Sequence, residues 1–452
     1  MMRKGFVHAA CLLSASWASA AVAQSTLPPK WVSATSSGLA CNGSTDDTGA
    51  LNSLITSLSS GGTILFPAGS TCVFAGTVNI NVNGIHLVGG GTSGQSGLPT
   101  VFNFTGTGTG NGFNIGTQGS SSQTYNVSIE NATVSAPNRT GGYLFSEYGV
   151  SQAYLRNIYV ESGWLFLYGQ NFNNVILENI NGYLRATSGW MINLYGHVGV
   201  DRSDVLTLDN VVLNNNDAGA SGLLSDGTVY TVRGVSVGLL NLHTGIRTQN
   251  SQGAGLANVT QAFFFDDLEI DGAGTGCGNG IEFAGGNQFH IVNSDIDVSH
   301  AGTSCTSSRP VSMSYDAAAG TEGVYIESTA LHDSPMGAIY INAHDVLLTN
   351  VMMFDLQHSA TIDSAVNIAP SSADVLISNS KLGHWQYTTP RVQYGVNINT
   401  GATRVSLSNN NYYNATTGNV LNSSSSVVGL GGGIGYNGAA ISAMTCAASS
   451  SC

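Results

Sequence analysis

A short phrase recurs along this chain: a large apolar residue, one variable residue, then Asn, with apolar residues resuming at alternate positions. It reads Ile129-Glu130-Asn131, Leu155-Arg156-Asn157, Leu177-Glu178-Asn179 and Leu208-Asp209-Asn210, and returns as Ile291-Val292-Asn293, Leu348-Thr349-Asn350, Ile377-Ser378-Asn379 and Leu407-Ser408-Asn409. Weaker copies start at Val232, Phe265 and Ile326, with Gly234, Asp267 and Ser328 in the Asn slot. Successive anchors lie 22 to 35 residues apart, and five places on, ten of the eleven copies carry another large apolar residue. Alternation with period two marks short strands with one buried face. Short strands returning at this interval predict stacked coils of a parallel β-helix, an all-β rod of about thirteen coils. Asn at one slot of successive coils then forms a ladder of side-chain amides at the ~4.8 Å strand spacing.

Composition narrows the partners. Asp, Glu, Lys and Arg make up only 9% of residues, while apolar residues reach 42%, so a packed core is available and disorder is excluded. Residues 1–23 read as a secretory signal peptide: Arg3 and Lys4, an apolar stretch from Phe6 to Trp17, then Ala21-Val22-Ala23 before Gln24. Without it the charge is 11 − 26 = −15, with no cluster of basic residues, so nucleic acid is excluded as a partner. No later segment is apolar enough to span a bilayer, which predicts a secreted protein, periplasmic or extracellular. The six remaining cysteines suit an oxidising compartment. Pairing by neighbourhood gives Cys41–Cys72, Cys277–Cys305 and Cys446–Cys452.

Leu51, Leu54, Ile55 and Leu58 recur at helical spacing, predicting an amphipathic helix over residues 48–59, capped by Asp46 or Asp47 and stopped by Gly61 and Gly62. The boundaries expected are an N-terminal segment with a capping helix over 24–60, the β-helix over 61–422, and a Gly/Ser-rich flexible tail or loose cap over 423–452. The run Asn42-Gly43-Ser44-Thr45-Asp46-Asp47-Thr48, then Gly61-Gly62-Thr63-Ile64-Leu65-Phe66-Pro67-Ala68-Gly69, resembles the opening of the pectate-lyase superfamily. That superfamily comprises single-stranded, right-handed parallel β-helices, polygalacturonases and phage tailspikes among them. The resemblance implies a helix plugging the rod's end, a polysaccharide as partner and, from the tailspikes, a homotrimer. The polygalacturonase and pectate-lyase catalytic motifs are missing: the nearest matches are Asn293-Ser294-Asp295, Gly196-His197-Val198, Gly383-His384-Trp385 and Arg309-Pro310. The site therefore has to come from the residues themselves.

The repeat assigns columns on the outer surface. One place after the anchor stand Glu130, Arg156, Glu178, Asp209, Arg233, Asp266, Val292 and Glu327, an expected ladder of ion pairs. Four and six places after it, two successive coils contribute Glu269, Asp271, Asp295 and Asp297, with His332 and Asp333 on the next coil. Like charges opposite each other across strands destabilise, so a ligand, a metal or a shared proton is expected there. Paired carboxylates point to glycosidic hydrolysis, with Asp297 or Asp271 as acid, Asp295 and Glu269 as base, and His332 assisting proton transfer. Tyr159, Tyr183 and Phe354 are candidate sugar-stacking residues, with Lys381 beside them. Two readings compete. One is a polysaccharide lyase using His332 or Lys381 as base and Ca²⁺ on Glu269, Asp271, Asp295 and Asp297; otherwise no cofactor is expected. The other is a non-catalytic glycan-binding or adhesin rod.

Overall fold

The computed structural model describes residues 30–93, 97–120, 122–196, 203–217, 219–251, 260–272, 277–298, 308–314, 320–356, 364–383, 392–413, 415–425, 428–434, 444–446 and 449–451. The signal-peptide reading lies outside these residues. Strands are parallel almost throughout and stack into three sheets. Sheet A carries the anchors, sheet B follows the Asn, and sheet C precedes the next anchor. One strand, Tyr143–Ser162, serves all three, with Phe145 in sheet C, Leu155 in sheet A and Val160 in sheet B. The pairing of sheet A runs unbroken from Lys30–Ser33 to Val428–Ile434. The rod is a parallel β-helix.

The Asn slot makes the corner between sheets A and B. All eight Asn residues there are left-handed, with φ between 50 and 55°. Asn accepts that conformation better than most residues because its short amide bonds locally. Its amide also bonds along the rod: Asn157 donates to Asn131 (2.8 Å), Asn179 to Asn157 (3.0 Å), Asn210 to Asn179 (2.9 Å) and Asn409 to Asn379 (2.7 Å). One weak copy is displaced by two residues. Leu208 pairs with Gly234, so Gly234 is the anchor and Ser236, at φ 53°, fills the Asn slot. Arg233 accordingly pairs with Thr207 and leaves the ion column, where Arg156–Glu178 is bonded at 2.8 Å.

Anchors and the residues five places on point inward and are almost fully buried, forming one continuous core with the phenylalanines of sheet C. Glu147 is the exception. It lies in phase with Phe145, between Ile115 and Gly169 on the neighbouring coils, fully buried, and neither carboxyl oxygen has a partner. Burial pushes its pKa up to about 8.

At the N-terminal end the helix α1, Thr48–Ser57, takes the third side of the first coil. Asn52 fixes it to the strand Val78–Ile80, donating to Thr77 O (3.2 Å) and accepting from Asn79 N (2.8 Å), while Leu51 and Ile55 close the core. Asp46 accepts from the first helical N–H, of Thr48, at 3.0 Å. Asp47 turns away to accept from Ala40 and Cys41 (2.6 and 2.9 Å). Cys41 and Cys72 are bonded as expected. Cys277 is also in a disulfide; its expected partner Cys305 lies outside the described residues, as does Cys452 of the third pair.

The described residues of the C-terminal segment pair onto the last coils, as the cap alternative has it. Val428–Ile434 pairs in parallel with Thr403–Tyr413, then Met444–Cys446 and Ser450–Ser451 pair antiparallel to the last strands. Glycine removes side-chain signal without removing backbone hydrogen-bonding groups, so composition concealed these strands.

Candidate functional site

The acidic columns meet as the register requires. Glu269 and Asp271 end the strand Gln261–Asp271 and pair with Asp295 and Asp297 of the strand Asp295–Asp297. Asp297 in turn faces His332, and His332 faces Phe354. All of them project outward from sheet B, because the alternate residues Ile270, Ile296, Leu331 and Met353 occupy the core.

His332 is clamped. Its Nε2 lies 2.6 Å from Asp295 Oδ1 and its Nδ1 2.7 Å from Asp333 Oδ2, while its ring stacks on Phe354 with centroids 4.4 Å apart and planes 10° apart. Burial by itself disfavours the imidazolium. The hydrogen bonds to Asp295 and Asp333, with the charges of Asp295 and Asp297, outweigh it and raise the pKa to about 9. At neutral pH both ring nitrogens therefore carry protons and both donate. Asp295 is thereby bonded to a cation the chain itself supplies.

Beside this clamp, the corner between sheets A and B opens into a groove of about 480 Å³. Glu269, Asp295 and Lys381 line it together with the slot residues Asn293, Asn350 and Asn379, so it crosses several coils along the rod. Asp295 is the shared element: its side chain is 59% exposed towards the groove, whereas that of His332 is 14% exposed.

Solved structures show the same architecture. Tailspike protein 3 of bacteriophage CBA120 aligns with a TM-score of 0.55 at 12% identity, over 84% of this chain and 57% of that one. The family 28 exopolygalacturonase of Yersinia enterocolitica aligns at 0.51 and 10% identity, over 86% of this chain and 76% of that one. This chain has the pectin-lyase-like fold. No family model matches the sequence, and no curated protein matches it. The chain spans little more than half the length of the tailspike. Among the described residues, no helix is long and apolar enough to cross a membrane.

On this pectin-lyase-like rod, two candidate residues stand apart from the acids. Tyr159 and Tyr183 pack edge to face with centroids 6.4 Å apart. Tyr159 and Glu269 are four rungs apart along sheet B, ~19 Å at the strand spacing. Tyr159 lines a second cavity, about 420 Å³, in the same corner, with Asn157, Asn179, Asn181 and Asn210. The corner groove itself was not anticipated, although the Asn slots that floor it were. Sheet C carries further unanticipated polar groups. Arg247 grips Glu282 through two bonds (3.0 and 2.8 Å), and Asp226 accepts from Gln249 and from Ser251 N and Oγ. They escaped notice because sheet C lacks the Asn phrase that fixes the register elsewhere.

Proposed function

We propose that the protein is an exported glycoside hydrolase acting on a polysaccharide laid along the corner groove. The observation carrying this reading is Asp295, held by the His332 imidazolium and lining the same groove as Glu269 on the adjacent rung. A carboxylate oriented by a hydrogen bond from an imidazolium is held in place to act as a nucleophile or base. The rung spacing of ~4.8 Å is close to the ~5–5.5 Å between carboxyl groups that accompanies retention. In this reading Asp295 attacks the anomeric carbon as Glu269, in place of the Asp297 or Asp271 expected from sequence, protonates the leaving oxygen. Glu269 then takes a proton from the water that releases the sugar. His332 positions Asp295, with Phe354 bracing its ring, and Asp271 and Asp297 extend the acidic wall.

Elimination fits less well. His332 is protonated below about pH 9, which disqualifies it as the base at neutral pH and leaves Lys381 as the remaining candidate. Calcium fits less well too, because a cation on Asp295 would compete with the His332 imidazolium already bonded to it.

The test is an assay on neutral and uronate polysaccharides, with calcium and with chelator, following reducing ends and the ultraviolet absorbance of unsaturated products. Reducing ends without absorbance are expected, falling by ~10²–10⁴-fold in Asp295→Asn and Glu269→Gln while substrate binding persists. Absorbance abolished by chelator would establish a lyase. Binding without turnover in the unaltered protein would establish a glycan-binding rod.

A further inference from the structure

Away from sheet B, Arg139 is a buried cation with no counter-ion among the described residues. Arg139 follows the strand Thr124–Ser135 at the turn leading into sheet C, and only 9% of it is exposed. Its Nε is buried without a partner, and its one side-chain contact is a long bond from Nη2 to Asn111 O at 3.5 Å. No carboxylate among the described residues pairs with it. Burial lowers its pKa, as expected for a cation stripped of water without compensation.

The surroundings are shaped to the guanidinium. The facing loop is Thr105-Gly106-Thr107-Gly108-Thr109-Gly110-Asn111-Gly112, and Gly108 bridges to Arg139 backbone to backbone. A side chain at Gly110 would place its Cβ 2.4 Å from Nη1, and one at Gly106 would place it 3.4 Å from Nη2. A side chain at Gly110 would therefore oblige the guanidinium to shift. Arg185 joins the same turn, donating from Nη1 to Pro137 O at 3.0 Å, again with no carboxylate partner among the described residues. Two of the chain's thirteen basic residues thus converge on one turn of an acidic protein.

Beyond Arg139 the surface becomes amide and aromatic. Asn111 accepts from Tyr143 N (3.1 Å) and donates to Asn114 (3.0 Å), and Tyr143 and Tyr148 each pack on Tyr168 at about 5.5 Å. Guanidinium, amides and tyrosine rings side by side supply a charged fork for an oxyanion, donors and acceptors for hydroxyls, and apolar faces for a sugar ring.

We propose that Arg139 and Arg185 form a binding site for an oxyanion carried on a sugar, a carboxylate or a sulfate ester, with the adjoining tyrosines taking the ring. The anion supplies the counter-charge that Arg139 lacks among the described residues. Along the rod the coil of Arg139 lies five rungs, ~24 Å, and that of Arg185 three rungs, ~14 Å, from Glu269, so the site does not depend on the chemistry of sheet B. It would hold an acidic stretch of polymer away from the acidic groove.

The test is calorimetric titration of the full chain at low salt with three oligosaccharides: an oligogalacturonate, a sulfated oligosaccharide and neutral maltohexaose, with inorganic sulfate as a fourth titrant. Binding of one or both acidic oligosaccharides is expected, weakened ~10-fold or more in Arg139→Gln and less in Arg185→Gln. Which of the two binds identifies carboxylate or sulfate ester as the group recognised. Neutral oligosaccharide affinity should be the same in all three proteins. Arg139→Gln should melt no lower than the unaltered protein, since it removes an uncompensated charge, and this shows that a loss of binding is not a loss of folding. Failure of both acidic ligands to bind, equal binding by a folded Arg139→Gln, or inorganic sulfate binding as tightly as the sugars would overturn the proposal.

Discussion

His332 and Glu147 have proton affinities shifted in the same direction, yet the shifts mean opposite things. His332, on the outer face of sheet B, rises to about 9 because two carboxylates grip it, and it is held charged. Glu147, in the core behind sheet C, rises to about 8 because nothing grips it, and it is held neutral. A raised pKa in an acid signals missing partners, and in a base it signals abundant ones. One charge is thus compensated on the outer face and the other suppressed in the core.

The comparison breaks most visibly at Glu147. Below about pH 4.5 the folded and unfolded chains both keep this proton. Between 4.5 and about 8 the unfolded chain loses it and the folded chain does not, so stability falls as pH rises, by on the order of 4 kcal/mol. Glu147→Gln removes the titration, and denaturant melts from pH 4 to 9 should show the variant overtaking the unaltered protein as pH rises. A variant that stays less stable at pH 8 would show that Glu147 has a partner after all.

His332 sharpens the contrast from the other side. Its contribution is complete below pH 6.5 and is lost as pH rises through about 9. It amounts to ~2 kcal/mol once the exposure of Asp295 is discounted. Proton NMR of the ring should show a midpoint near 9 that falls in Asp295→Asn and falls further when Asp333→Asn is added. An unmoved midpoint would detach the histidine from these carboxylates.

A smaller effect is expected at the corner joining sheets A and B. Asn179→Ala removes bonds to Asn157 and Asn210 and leaves alanine at φ 54°, costing ~1–3 kcal/mol. Urea melts would show whether each rung carries its own share; a loss under half a kcal/mol would mean the neighbouring rungs sustain the corner.

The register of the site was legible because the Asn phrase counts coils by itself. Once Phe265, Ile291 and Ile326 are aligned, Glu269, Asp295 and Asp297 must be neighbours, and His332 must follow. The phrase misleads where two apolar residues could both serve as anchor, as with Val232 before Gly234. It says nothing about how side chains orient, so the clamp on His332 and the groove beside it emerged only in three dimensions. Glu147 was within reach, since it sits in phase with Phe145, but a single acid among apolar alternations reads as an exposed residue. Arg139 leaves no periodic trace at all, because it sits on a turn.

The reversal of chain direction at Met444–Cys446 and Ser450–Ser451 bears on how these rods meet one another. A parallel stack ends in a row of unpaired backbone groups that match the start of another copy. Antiparallel strands over the last coils present a different hydrogen-bond pattern. Where these strands pair, the parallel ladder does not simply continue, so a copy of the coil laid against them would meet a different hydrogen-bond pattern.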